Sequence, residues 1–117
     1  MIKTKNYIAS PKYLKDMYHN PSLNSAFKTV DKISIRKIKI DKSLFAYQNE
    51  VNKKDVDYMV NNFYRGAWFP VMINQNFFLI DGQHRIAAAK RMKLKYIDVV
   101  IETTDFRKVN RSKGNRQ

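Results

Sequence analysis

The sequence predicts an α+β domain, a small mixed sheet packed with helices and preceded by a helical arm. Three observations lead there. The chain has 117 residues, 44% apolar and 13% aromatic, a globular composition with enough length for one core. Short apolar runs alternate with two stretches whose apolar residues recur at helical spacing. An Asp-Gly turn joins one such run to an Ala-rich helix that is followed by another run. There are no cysteines, which excludes disulfides, thiolate metal sites and cysteine nucleophiles.

The arm is expected over residues 1–30. Ser10-Pro11 starts a helix, because Ser caps and Pro fits the first turn. Tyr13, Leu14, Met17 and Tyr18 follow at helical spacing. Asn20-Pro21-Ser22 breaks that helix, and a second short one is expected to carry Leu23, Ala26, Phe27 and Val30. The body is expected over residues 31–106. Ile33, Ile35, Ile38 and Ile40 nearly alternate, predicting a strand over 33–40 with a bulge at Arg36-Lys37. After a loop, Asn52 caps a helix carrying Val56, Met59, Val60 and Phe63, with Gly66 as its C-cap. Residues 69–73 form a strand that Pro70 opens. Asn74-Gln75-Asn76 is a hairpin turn and residues 77–80 the returning strand. Asp81-Gly82 turns tightly into a helix over 84–92, and residues 96–101 close the sheet. Residues 107–117 contain no acid and are expected to form a basic flexible tail.

The segment Asp81-Gly82-Gln83-His84-Arg85 carries the chemistry. Gly82 lets the chain turn sharply and an anion approach its backbone. The free N–H groups and dipole of the following helix favour negative charge there. Arg85 adds a guanidinium fork suited to phosphate oxygens. Gln83 and His84 orient the ligand, Lys90 assists from further along the helix, and Asp81 can hold Mg²⁺ or position a hydroxyl. The competing reading is a plain turn in which Arg85 pairs with a carboxylate.

The net charge is +13, which predicts an anionic partner, with nucleic acid first among the candidates. Arg36, Lys37, Lys39 and Lys42 lie along and just beyond the first body strand. With Arg107, Lys108 and Arg111 in the tail they make an expected phosphate-tracking surface. Tyr47, Tyr64 and Trp68 are candidates for stacking on bases, with a core anchor beside Pro70 as the favoured reading of Trp68. Two histidines are too few for a metal site without carboxylates. No stretch approaches the ~20 apolar residues of a membrane span, and no apolar signal core follows the basic N-terminus. A soluble, cytoplasmic protein with no membrane partner is expected.

Residues 33–101 resemble the ParB/sulfiredoxin superfamily. The resemblance rests on Val56 to Phe63, Phe69-Pro70-Val71, Phe77 to Ile80, Gly82-Gln83-His84-Arg85, Ala87-Ala88-Ala89-Lys90 and Leu94 to Val100. ParB-type CTP switches carry a Gly-Glu-Arg-Arg-x-Arg-Ala pattern, of which this chain keeps Gly82, Arg85 and Ala88. Sulfiredoxins carry Gly-Cys-His-Arg, and here Gln83 replaces the reactive cysteine. The resemblance implies a stand-alone ParB-like domain from a bacterium or mobile element. Such a domain binds a nucleoside triphosphate (CTP or ATP, with Mg²⁺) at the turn and works beside DNA, with a homodimer as an open alternative. Members with Asp-Gly-x-His-Arg include small-molecule kinases, in which a Glu-Val pair precedes the first body helix, as Glu50-Val51 does here. On that second reading the protein is a kinase or NTP hydrolase. Glu50 is the base and, with Asp81, a metal ligand, while Asp81, His84 and Arg85 complete the catalytic and phosphate-clamping set. A third reading is a basic DNA- or protein-binding module with a vestigial nucleotide site.

Overall fold

A computed structural model describes residues 6–18, 27–41 and 51–103. Its elements in chain order are α1 (Lys12–Asp16), β1 (Phe27–Ser34), α2 (Lys53–Asn61), β2 (Val71–Asn74), β3 (Leu79–Asp81), α3 (Gln83–Arg91) and β4 (Tyr96–Glu102). The four strands form one mixed sheet in the order β1-β4-β2-β3. β4 runs antiparallel to β1 and parallel to β2, and β2 and β3 form the expected hairpin. The α+β architecture is therefore as the sequence implies.

The core lies where α2 and α3 meet one face of the sheet. Val71 and Ile73 of β2 and Ile97 and Val99 of β4 are fully buried, and alternation along a strand puts each pair on one face. Ile86 and Ala89 of α3 pack there with Trp68, Leu79 and Leu94. Ala88 and Ala89 are fully buried, and their small side chains let α3 sit close to the sheet. Trp68 is 2% exposed, stands edge-on to Phe63, and donates its indole N–H to the Ile8 carbonyl. It is a core anchor, as its place beside Pro70 suggests.

Between Ile97 and Val99, Asp98 points to the opposite face. It is fully buried. Its carboxylate accepts hydrogen bonds from the Tyr7 hydroxyl (2.7 Å) and from the backbone N–H groups of Ser10 (2.8 Å) and Lys32 (2.9 Å). The Lys15 ammonium lies 3.2 Å from it. Tyr7 also bridges to Tyr96 in parallel at the start of β4. The described part of the arm is thus held to the sheet by this carboxylate together with the Lys95 and Tyr96 N–H groups, which both donate to the Asn6 carbonyl. Burial, then the Asp98 hydrogen bond, pushes the Tyr7 phenol far above its ordinary value. Burial alone would lower the Lys15 ammonium, but its hydrogen bonds to Asp31 and Asp98 outweigh that and hold it above the usual lysine value.

Several local expectations are corrected. Phe27 and Val30 belong to β1, not to a second helix, so the sheet begins inside the segment assigned to the arm. Pairing with Glu102 and Val99 of β4 decides this. The expected strand over 33–40 ends at Ser34, and Ile35–Lys37 form a 3₁₀ turn. The bulge lies between Val30 and Ile33 instead, where Lys32 adopts a left-handed φ of 61°. Lys39 then forms a single bridge to Phe78 beside the hairpin. α2 is capped by Asn52, whose side chain accepts from the N–H groups of Lys54 and Asp55, as its position predicts. It ends at Asn62, before Gly66, which sits in a separate 3₁₀ turn. β2 begins at Val71, just after Pro70. Among the described residues no helix is long and apolar enough to cross a membrane.

Candidate functional site

The β3–α3 junction brings Asp81, Gly82, Gln83, His84 and Arg85 together. Gly82 is the N-cap of α3, with φ 117° and ψ 26°, a backbone conformation that L side chains rarely adopt. Packing adds a second requirement, since a Cβ there would lie 2.7 Å from Cγ1 of Val71. The first helical bond of α3 runs from the Ile86 N–H to the Gly82 carbonyl, and no side chain caps the helix. An uncapped helix start of this kind is where an anion meets backbone donors.

Arg85 is anchored on three sides. It donates to the Pro70 carbonyl (2.7 Å), pairs with Asp81 (3.2 Å), and lies 5.8 Å from the centre of the Phe69 ring. The Asp81 side chain is 73% exposed, so this ion pair contributes at most about 1 kcal/mol. The arginine–carboxylate pairing of the competing reading is present, and it is weak enough for a better anion to displace.

His84 ties two helix starts together. Its Nε2 accepts the backbone N–H of Asn52, the N-cap of α2, at 3.0 Å. That assigns the ring proton to Nδ1, so the Asp55 carboxylate 4.0 Å from Nε2 faces a nitrogen without a proton. The positive ends of α2 and α3 consequently converge on one imidazole. Beside them opens a cleft of about 490 Å³ between α2 and residues 64–69. Tyr58, Phe63, Tyr64, Trp68 and Phe69 give it an aromatic lining, and Asp55 and Arg85 supply charge at its wall.

The other expected site residues fall elsewhere. Lys90 stands in the last turn of α3, about 12 Å along the helix from Gly82, too far to assist at the turn. Arg36 and Lys37 lie in the 3₁₀ turn after β1, and Lys39 sits over the Phe78 ring. Glu50, Lys42, Tyr47, Arg107, Lys108 and Arg111 lie outside the described residues. Among the described residues no three His, Asp or Glu side chains cluster to hold a metal ion, and Glu50, the ligand expected beside Asp81, lies outside them. Asn52, Asp55, Tyr58 and Phe69 belong to the site without having been singled out for it. The Asn52 cap was the one sequence signal that pointed toward them.

Among solved structures similar to this one are two of a pNOB8-like ParB N-domain. They match with TM-scores of 0.58 and 0.53 at 22% and 20% identity, over 78% and 74% of this chain. Sulfiredoxin from Arabidopsis thaliana matches with a TM-score of 0.54 at 16% identity, over 72% of this chain. The chain has the ParB/sulfiredoxin-like fold. It spans about a third of the length of the ParB chains, 35% and 32%, and 94% of the sulfiredoxin. No family model matches its sequence, and no curated protein does. The likeness is therefore one of fold.

Proposed function

We propose that the protein binds a nucleotide, with its phosphates on the residue 82–85 turn and its base in the adjoining aromatic cleft, and that it acts beside DNA. One observation carries the nucleotide reading: two helix N-termini meet at His84, next to a cleft that Arg85 lines. Phosphates suit the helix ends and the guanidinium. A nucleobase suits the aromatic walls, because every base has a face that stacks. Entry of phosphate requires Arg85 to exchange Asp81 for the ligand, at little cost for so exposed a pair. Asp81 would be the carboxylate placed to help hold a Mg²⁺, which would supply charge neutralisation for the phosphates. The fold shared with ParB N-domains supports the DNA reading, as does the charge of +13.

Calorimetry with CTP, ATP and ADP, with and without Mg²⁺, tests this. Binding of at least one nucleotide well below millimolar concentration is expected, and Arg85→Ala abolishes it while the circular dichroism spectrum stays that of the folded protein. If none of the three binds, the proposal fails. Assaying the same samples for released phosphate separates a binding domain from an NTP hydrolase, and phosphoryl transfer to added free serine would identify a kinase.

A further inference from the structure

The end of α3 opposite the nucleotide turn carries a second concentration of charge. Residues 82–97 and residues 32–40 contain no acid, yet they hold Lys90, Arg91, Lys93 and Lys95 in the first stretch and Arg36 and Lys37 in the second. The fold joins these two stretches. The Ile35 N–H donates to the Lys95 carbonyl at 3.0 Å, and Ile33 and Ser34 pair with Ile97 and Tyr96. Arg36, Lys37, Lys90, Lys93 and Lys95 are all exposed. None of these five makes an ion pair with another described residue. Arg91 is different, because Asp57 holds it together with Lys53.

Helix stability explains only part of this cluster. Cations in the last turn of a helix complement its dipole, which accounts for Lys90 and Arg91. It does not account for Lys95 or for Arg36 and Lys37 on another segment. Lys93 in fact opposes local stability. It follows the C-cap of α3 at φ 66°, with the next N–H, of Leu94, closing back on the Ala89 carbonyl. Glycine occupies that left-handed position at lower cost. A cation stands where the backbone favours glycine, within a group of cations that make no ion pair among the described residues.

We propose that these two adjoining segments form a platform for the phosphate backbone of duplex DNA, built by Arg36, Lys37, Lys90, Lys93 and Lys95. The proposal rests on DNA being the partner and names the surface that meets it. A duplex fits better than a single strand, because the platform lacks free aromatic faces. The nearby Tyr7 and Tyr96 rings have the Lys32 ammonium over them, 5.6 and 5.3 Å from their centres, and the most exposed of the described tyrosines, Tyr58 and Tyr64, lie at the cleft. Contacts of this kind follow the backbone and do not read sequence.

Fluorescence anisotropy of the full chain with a mixed-sequence duplex, over a salt series, tests the platform. The triple variant R36Q/K93G/K95Q is compared with K12Q/K28Q/K53Q, which loses the same charge elsewhere. The platform triple is expected to reduce the salt slope by roughly 2.7 and the affinity at moderate salt by about tenfold or more, while the control moves both far less. Lys93→Gly alone should raise the melting temperature and still weaken binding, an effect that damage to the fold would not produce. Equal losses in the two triples would overturn the platform and leave the DNA partner standing. Absence of any salt-dependent binding by the wild-type chain would overturn the DNA reading itself. Tighter binding of a single-stranded oligonucleotide than of the duplex would overturn duplex DNA as the occupant.

Discussion

Asp81 and Asp98 are both carboxylates on core strands, and they behave in opposite ways. Asp98 is fully buried and holds four partners from three segments. Asp81 is mostly exposed and touches one arginine four residues along the same chain. A buried charge must be compensated, so the Asp98 site is saturated and rigid. An exposed pair is screened and replaceable, so the Asp81–Arg85 pair can open for a ligand. The contrast separates a polar cluster that maintains the architecture from one that remains available for binding.

The most severe way to break this comparison is Asp98→Ala. It leaves the Tyr7 hydroxyl and the backbone N–H groups of Ser10 and Lys32 without their acceptor, and Lys15 with Asp31 alone, and should cost roughly 3–5 kcal/mol in urea denaturation. A cost near zero would mean that the arm is not held by this carboxylate. Next comes Gly82→Ala. Strain at φ 117° should cost roughly 1–3 kcal/mol, with an added penalty from the clash with Val71, and nucleotide binding should be lost with the turn. Denaturation and calorimetry on the same preparation check both effects.

Alkaline pH probes the Asp98 side more gently. The ordinary values are 10.0 for tyrosine and 10.5 for lysine, and folding raises both Tyr7 and Lys15. The folded state therefore holds its protons after the unfolded chain begins to release them. Their contribution is fully present below about pH 10 and is lost as pH rises above it through the folded values. Denaturation midpoints measured between pH 8 and pH 11 should fall at the upper end, and Tyr7→Phe should flatten that fall. The smallest expected effect on stability is from Asp81→Asn, within about 1 kcal/mol. It should nevertheless tighten binding of nucleotide added without Mg²⁺, because Arg85 no longer has a competing carboxylate. Weaker binding without Mg²⁺ would contradict the displaceable pair.

The sequence alone determined the features that act over a few residues. Asn52 caps α2 because its side chain reaches N–H groups two and three positions on. Asn74-Gln75-Asn76 closes a hairpin. Gly82 turns β3 into α3, where any other residue would be strained. The order of strands and helices in the body followed from these signals and from the apolar periods between them, and with it the Gly82 turn between β3 and α3.

Only the tertiary structure decided what depends on distant partners. Phe27 and Val30 are in a strand because β4, far along the chain, offers an edge to pair with. Asp98 looks like an interruption in an apolar strand until the arm supplies its hydrogen bonds. The partners that connect the turn to the aromatic cleft, Asn52 for His84 and Pro70 and Phe69 for Arg85, come from segments that the sequence leaves apart. Lys90 reads as a neighbour of the turn, but the rise of α3 carries it to the other end of the helix. Local conformational preference extends over about one turn, whereas burial and charge compensation depend on which segments the closed sheet brings into contact.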